Sequence, residues 1–194
     1  MPRVQFPQGA ALALAGALAL TSPADAVPRC GPMDLPLLSV EPPPSQYLDF
    51  CRSDPEACAL TGEPVLDWTE ELHDALSRVN AEVNSDIAFV SDPDNLGQEE
   101  VWSLPLDCRG DCEDFALEKR RRLTEAGLPR AAFTMAIAFH EVHFFPHAVL
   151  AAETTRGTWV LDNLHDDLMC WDALPYRFTR RERPDGQWTR FGLR

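Results

Sequence analysis

Apolar positions recur along the chain at spacings that predict two helices. One set is separated by steps of three or four residues, which places it on one face of a helix: Trp68, Leu72, Leu76, Val79 and Val83. Asp67 is the predicted N-cap of this helix, with Glu70 as its capping-box partner, and Asn84 ends the pattern. The second predicted helix covers residues 112–126 and stops before Gly127.

Strand-like apolar runs follow the second helix. They cover residues 131–139, 147–152, 158–161 and 188–191. Residues 91–110 are polar and interrupted by proline and glycine, so they are predicted to be a long loop anchored by Trp102 and Pro105. Helices followed by consecutive strands predict an α+β fold, with the helices packed on an antiparallel sheet.

The first 26 residues have the pattern of a secretory signal peptide. Arg3 supplies a positive charge, residues 10–20 are apolar, and Ala-Asp-Ala at 24–26 is a cleavage site. The apolar run is too short for a helix to span a bilayer core of about 30 Å, although an uncleaved anchor helix is the alternative. We therefore expect an exported mature chain without a membrane span, periplasmic or secreted, in which disulfides can form.

Residues 27–64 are predicted to be a proline-rich N-terminal arm. Residues 27–47 are expected to be extended, without a helix or a regular strand. Cys51 and Cys58 flank a turn-forming Asp-Pro pair, so a local disulfide between them is predicted in preference to two free thiols. The partners of Cys30, Cys108 and Cys170 are not assigned by the sequence.

The chain of 194 residues has a formal net charge of −14. Nucleic acids and anionic membranes attract patches of Lys and Arg, so this acidity argues against both as default partners. The acidic excess lies before residue 119, which indicates either two electrostatically different faces or ordinary solvated surface. The arginine clusters at 120–122 and 180–183 are predicted to be a solvated helix face and a charged turn.

Three residues form the candidate catalytic set. Cys112 lies in the first turn of the second helix, where unpaired backbone N–H groups and the helix dipole favour a thiolate. The neighbouring acids raise the pKa of a thiol, so an imidazolium or a metal ion must offset them. His147 begins a strand from which it can take the thiol proton, and Asp162 ends the next strand, where it can orient His147 if the two strands form a hairpin.

These residues lie in motifs that resemble the bacterial transglutaminase-like cysteine proteinases. The motifs are Gly-Asp-Cys-Glu-Asp at 110–114, His-Ala-Val-Leu at 147–150 and Leu-Asp-Asn at 161–163. The resemblance implies a papain/transglutaminase-like fold in residues 65–194 and a triad of Cys112, His147 and Asp162. One branch of that family comprises periplasmic proteases that cut biofilm adhesins, require calcium and are held in check by an inner-membrane receptor.

A calcium site is implied by the same resemblance. Asp111 and Glu113 are the expected ligands, with Asp114 as a third. Carboxylates are the hard oxygen donors that Ca²⁺ prefers, and a bound ion would neutralise the acids beside the thiol. The alternative is that these acids only stabilise the helix N-terminus through its dipole.

The sequence contains two other groups of residues with metal-binding or redox potential. His140, His143 and His147 have a spacing that invites a zinc site, but an alternating strand and loop would not place them on one helix face. Cys108 lies four residues before Cys112, and the sequence leaves open a reversible bridge between them, a separate partner for Cys108, or none.

Together these features predict an exported cysteine endopeptidase that acts on a cell-surface or periplasmic protein, with Ca²⁺ as its cofactor. The first alternative is a transglutaminase-type acyl transferase or amidase that uses the same triad. The second is a non-catalytic periplasmic binding module, against which the intact Cys, His and Asp argue. The family resemblance adds an inner-membrane regulator as a partner, and no nucleic acid is expected.

Overall fold

A computed structural model describes residues 29–192, so the predicted signal peptide lies outside the described residues. The helices are α1 Ser45–Ser53, α2 Glu70–Asp86, α3 Asp92–Asn95 and α4 Cys112–Glu125. The strands are β1 Leu37–Glu41, β2 Ala88–Phe89, β3 Arg109–Gly110, β4 Phe133–His140, β5 Phe145–Thr154, β6 Gly157–Asp162, β7 His165–Cys170, β8 Tyr176–Glu182 and β9 Trp188–Phe191.

Seven of the strands form one antiparallel sheet in the order β1-β9-β8-β4-β5-β6-β7. Helices α2 and α4 pack against each other and against β5, β6 and β7. The predicted α+β fold, with helices on an antiparallel sheet, is therefore confirmed. Among residues 29–192, no helix is both long enough and apolar enough to cross a membrane.

The central strands are buried on both faces of the sheet. In β5, Leu150 points to the core that the helices cover, whereas Val149 points to a second core on the opposite face. That second core also contains Met33 of the N-terminal segment and Trp171, which follows β7. Strands buried on both faces read as continuous apolar runs, which is why periodicity located β4, β5 and β6 well.

Helix α2 begins later than the sequence predicts. Its N-cap is Thr69, whose hydroxyl accepts a hydrogen bond from the Leu72 backbone N–H at 3.1 Å, so the predicted Asp67 cap is wrong. The helix also continues past Asn84 to Asp86. Four of the five predicted stripe residues are buried in α2, while Trp68 precedes the helix and stacks on the ring of Trp159.

The N-terminal segment is more ordered than predicted. Strand β1 pairs with β9, and α1 begins after Pro44 and buries Tyr47 and Phe50 against the helix-side core. Proline suits the start of a helix because the first turn leaves backbone N–H groups unpaired in any case. The expectation of an extended arm without helix or strand over residues 27–47 is therefore wrong.

Two disulfides involve this segment. The predicted bridge between Cys51 and Cys58 is present, and a second bridge joins Cys30 to Cys170 at the end of β7. Cys108 and Cys112 are free thiols, and the side chain of Cys108 is exposed.

Both arginine clusters differ in part from their predictions, although Arg121 and Arg122 do lie on a partly exposed helix face. Arg120 is buried and forms an ion pair of 2.7 Å with Glu182, and the hydroxyl of Tyr47 also donates to Glu182. Residues 180–182 belong to β8, so they are not a charged turn. Strand β8 could hold these charges in the sheet because acids from distant segments neutralise them, as Glu41 does for Arg180.

The predicted loop at 91–110 contains the short helix α3 and strand β3, which pairs in parallel with β2. Trp102 is buried in the helix-side core, as an anchor should be, and Pro105 is partly buried. This segment leads directly into α4 and therefore forms one wall of the cleft at the start of that helix.

Candidate active site

The start of α4 is fixed by the residues around Cys112. Asp111 is the N-cap, and Asp111 and Asp114 each accept a hydrogen bond from the other's backbone N–H, forming a capping box. A Cβ on Gly110 would lie 2.6 Å from Asp114 Oδ2, so glycine allows the Asp114 side chain to fold back over the chain. Cys112 is thus the first residue of a firmly capped helix, as the sequence predicts.

His147 and Asp162 meet across the hairpin that β5 and β6 form. His147 Nε2 lies 2.8 Å from Asp162 Oδ1, and the side chains are only 2% and 0% exposed. Because Nε2 is engaged by the carboxylate, Nδ1 is the ring nitrogen that remains for a proton from the cleft. Strands β5 and β6 therefore form the hairpin that the predicted His147–Asp162 contact requires, and the two residues are in direct contact.

The thiol of Cys112 lies between the helix start and β5. The backbone N–H of Ala148 donates to Cys112 Sγ at 3.4 Å, and Sγ lies 3.3 Å from Glu113 Oε2. Burial raises the pKa of Cys112 well above its ordinary value, and the negative charges of Glu113 and Asp111 raise it further. Formation of a thiolate here needs a proton acceptor and relief from the neighbouring negative charge.

Asp162 is held by several donors. Its backbone N–H donates to Asn80 Oδ1, and its Oδ1 also accepts from the Leu164 backbone N–H at 3.0 Å. Burial alone would raise the pKa of Asp162, but hydrogen bonds from His147 and Tyr176 outweigh burial and hold this pKa below its usual value. The carboxylate therefore stays ionised beside the imidazole.

Asn80 is a supporting residue that the sequence analysis missed. It is fully buried on α2, and its Nδ2 donates to the backbone carbonyls of His165 and Asp166. It therefore ties α2 to the turn that follows Asp162. The sequence does indicate such a role. Asn80 lies one turn from both Leu76 and Val83 on the apolar stripe, and a buried amide at such a position needs polar partners.

Three carboxylates form a cluster beside Cys112. One oxygen from each of Asp92, Asp111 and Glu113 lies within 4.8 Å of the others. Each of these residues also has a buried oxygen without a hydrogen-bond partner among the described residues. Burial raises the pKa of Glu113 to about 10, and Asp111 adds to this effect. Without a cation, this raised pKa disfavours ionisation of all three carboxylates together. Their oxygen donors fit a hard divalent cation, which would favour the ionised forms.

Asp114 lies outside this cluster. Its Oδ1 accepts from the Ser103 backbone N–H at 2.8 Å, and its Oδ2 accepts from the backbone N–H of Asp111. Burial raises the pKa of Asp114 to about 7. The structure therefore brings two of the three predicted ligands together, supplies Asp92 as the third carboxylate, and gives Asp114 a capping role.

The three histidines considered for zinc are not grouped as ligands in residues 29–192, where the acidic cluster is the one group with metal-binding spacing. His140 Nδ1 accepts hydrogen bonds from the backbone N–H groups of Val142 and His143, both at 3.3 Å. These contacts give His140 a structural role in the turn between β4 and β5.

The cleft at this site is open on one side and apolar on its walls. Cys112 and His147 line it together with Glu100, Asp111 and Glu113. Its apolar walls are formed by Phe89, Trp102, Ile137, Phe145 and Leu164. Such walls can accommodate apolar side chains of a ligand beside the thiol.

Residues 38–193 match the family described as bacterial transglutaminase-like cysteine proteinase BTLCP. The match includes β1 and α1 as well as the helices and sheet around the cleft. No curated protein matches the chain.

Solved structures of LapG from Legionella pneumophila are similar to this chain. The calcium-bound LapG structure is 25% identical, with a TM-score of 0.55 over 63% of this chain and 72% of LapG. The EGTA-treated LapG structure is 27% identical, with a TM-score of 0.52 over 60% and 66%. The same protein has thus been solved with calcium and after treatment with a calcium chelator.

Proposed function

Because the chain belongs to the bacterial transglutaminase-like cysteine proteinases, we propose that it cleaves peptide bonds with Cys112, His147 and Asp162 as its catalytic triad. The observation that carries the proposal is the placement of these residues at one cleft. A thiol lies at a helix start, and the imidazole opposite is joined to a buried carboxylate at 2.8 Å.

In the proposed reaction, His147 Nδ1 takes the proton from Cys112 Sγ, and the thiolate attacks the carbonyl carbon of the scissile peptide bond. The tetrahedral intermediate collapses, the C–N bond breaks, and the leaving amine takes the proton from His147. Water then attacks the thioester with His147 as its base, which releases the acid and restores the thiol. Asp162 stabilises the imidazolium in both halves of the cycle.

The start of α4 also offers a donor for the oxyanion. The backbone N–H of Cys112 is at the first position of the helix, where N–H groups have no partner within the helix. A tetrahedral oxygen that forms on a carbonyl bound to Cys112 Sγ lies close to this N–H. Such a donor stabilises the charge that develops in the transition state.

Asp92, Asp111 and Glu113 are the residues that would hold Ca²⁺ in this chain. A bound cation there would supply positive charge beside the thiol and offset the carboxylates that raise its pKa. The unpartnered buried oxygens of the three residues support this proposal, as does the existence of a calcium-bound structure of LapG. Asp114 is left to cap the helix.

The proposal includes an exported location and a protein substrate. The sequence pattern of residues 1–26 supports export, and two disulfides are consistent with an oxidising compartment. A cell-surface or periplasmic protein is the proposed substrate, and an inner-membrane protein of the kind implied by the family resemblance is the proposed regulator. Comparing envelope and medium proteins with and without the active enzyme would identify the substrate.

The decisive test uses the purified chain on candidate exported proteins. Cys112→Ala should reduce cleavage by at least about a thousandfold, because the variant has no nucleophile. Cys108→Ser is the matched control, since it removes an exposed thiol, and it should cleave normally. Cleavage that survives in Cys112→Ala would exclude the proposed mechanism.

Hydrolysis and acyl transfer are separated by adding a labelled amine to the same reaction. Lys119 is the only lysine of the chain and is fully buried, so the enzyme does not provide an accessible lysine acceptor of its own. A hydrolase releases fragments without label. Label attached to the substrate would instead establish the transferase alternative.

The calcium proposal predicts a thermal shift. At a hundredfold excess of Ca²⁺ over Kd, the parent protein should melt roughly 5–10 °C higher than in EGTA, because only the native state has the site. Asp111→Asn should abolish most of this shift. Glu99→Gln, an exposed acid on the same loop, should retain it. An equal shift in both variants would place calcium elsewhere.

A further inference from the structure

The triad carboxylate has a second contact that the proposed mechanism does not use. Tyr176, the first residue of β8, donates its hydroxyl to Asp162 Oδ2. Asp162 Oδ1 is already occupied by His147 Nε2 and by the backbone N–H of Leu164. The two oxygens of Asp162 are therefore assigned to different partners.

Tyr176 also contacts the imidazole. Its ring centroid lies 5.5 Å from that of His147, and the two rings meet edge to face at 71°. Tyr176 is 8% exposed, and its place beside His140 is set by the pairing of β4 with β8. The side chain therefore touches both members of the His–Asp pair from a strand that neither of them belongs to.

We propose that Tyr176 is a positioning residue of this site, which fixes the carboxylate plane of Asp162 so that Oδ1 faces His147 and Oδ2 does not. The proposal rests on the proposed triad. A carboxylate held at one oxygen only can turn about its Cβ–Cγ bond or exchange the roles of its oxygens. A donor at the second oxygen removes that freedom and keeps the imidazole in one orientation.

The hydroxyl suits this task over a wide range of pH. Burial raises the pKa of Tyr176, and the negative charge of Asp162 raises it further. The hydroxyl therefore remains a donor wherever a cysteine protease operates. The titratable groups that interact with Asp162 from the elements around it are His147, Tyr176, Lys119 and His140.

The chain contains a matched control for this contact. Its two tyrosines, Tyr47 and Tyr176, are both buried, and each donates its hydroxyl to a buried carboxylate. Tyr47 donates to Glu182, which takes no part in the cleft. Tyr→Phe at either position removes one hydroxyl and keeps the ring, so general losses of stability affect both variants alike.

The experiment measures alkylation of Cys112 by iodoacetamide from pH 5 to pH 9 with saturating calcium. All proteins carry Cys108→Ser, which leaves Cys112 as the only free thiol among the described residues. We expect Tyr176→Phe to slow alkylation at pH 7 roughly ten- to a hundredfold, the range of a hydrogen bond to an ionised group. Its acid-side inflection should move to higher pH, because an imidazole that can turn away from Asp162 is a weaker acceptor for the thiol proton. Tyr47→Phe should match the parent.

A double-mutant cycle with Asp162→Asn separates positioning from general damage. If Tyr176 acts through Asp162, adding Tyr176→Phe to Asp162→Asn should cause little further loss. Fully additive losses, or a Tyr176→Phe profile that coincides with that of Tyr47→Phe, would overturn the inference while leaving the triad intact. A parent Cys112 no more reactive than an ordinary thiol would overturn the triad and the inference together.

Discussion

Lys119 is a buried cation that the proposed chemistry does not require. It lies on α4 with no exposed surface, and its Nζ has no hydrogen-bond partner within residues 29–192. Burial lowers the pKa of Lys119 to about 7, although the charges of Asp162 and Asp166 act in the opposite direction. A buried ammonium without a hydrogen-bond partner destabilises the native state whenever it carries its proton.

The sign of the resulting pH dependence follows from the lowered pKa. Between about pH 7 and the ordinary lysine value of 10.5, the unfolded chain binds a proton at Lys119 that the native chain does not. The contribution of Lys119 to the free energy of unfolding therefore rises with pH across this window.

Lys119→Met should remove this rise. The variant should be more stable than the parent by about 1–3 kcal/mol at pH 6, where the native parent must hold a buried charge without a hydrogen-bond partner, and by less at pH 9. Urea unfolding of both proteins at the two pH values measures the difference. The same stability difference at pH 6 and pH 9 would show that Lys119 does not titrate between them.

At the residue scale, the sequence places Cys112 on a helix start and His147 and Asp162 on neighbouring strands, and the structure agrees on all three locations. These locations follow from local signals, namely a capped helix and apolar strands. The contacts of Asp92 with the acidic cluster and of Tyr176 with Asp162 could not be predicted. Asp92 lies in a polar loop, and Tyr176 begins a strand with no recognisable apolar alternation, so only tertiary packing forms these contacts.

At the scale of elements, the turn between β5 and β6 depends on Gly157. Its φ is +101°, and a Cβ would lie 1.8 Å from the backbone carbonyl oxygen of Cys30. A side chain at this position would therefore strain the turn and also push away the N-terminal segment. A change in the hairpin that carries His147 and Asp162 would therefore also displace the N-terminal segment that packs against it.

Gly157→Ala should destabilise the protein by roughly 2–4 kcal/mol, since it combines an unfavourable φ with a clash against backbone. Gly97→Ala is the control, because Gly97 also has a positive φ of +67° but no atom within 4 Å of the added Cβ. That variant should cost only about 1–2 kcal/mol. Equal losses in urea unfolding would mean that Cys30 moves aside without cost.

Elements were predicted well where burial is local and poorly where it is not. Helix α4 and strands β4 to β6 carry strong apolar patterns, and their predicted positions agree with the structure to within a few residues. Strand β8 was missed because its arginines read as a turn. Arg180 and Arg181 remain in the sheet because they pair with Glu41 and Glu153 from other strands. No local pattern carries that information.

At the scale of the whole molecule, the acidic first half of the chain forms ion pairs with the more basic second half. Acids from the first half pair with arginines from the second: Glu41 with Arg180 and Asp86 with Arg122. Ion pairs between the two halves of the chain therefore neutralise part of the acidic excess. Another part of the acidity forms the cluster beside Cys112.

The disulfide between Cys30 and Cys170 should contribute more stability than the local one. It links residues 140 apart, whereas Cys51 and Cys58 are 7 apart. Chain-entropy estimates give about 4–5 kcal/mol for the long loop and about 2–3 kcal/mol for the short one. Replacing each pair by serines and measuring urea unfolding tests the order. A larger loss from the local pair would show that chain entropy does not govern the difference.

The separation of the proposed triad along the chain bears on the order of folding. His147 and Asp162 are 15 residues apart within one hairpin, whereas the contact of Cys112 Sγ with β5 spans 36 residues. Longer loops cost more entropy to close, and non-local contacts form later. During refolding, the His147–Asp162 pair would thus form before Cys112 reaches β5. The rate at which thiol reactivity returns would then report the docking of α4 and not the formation of the sheet.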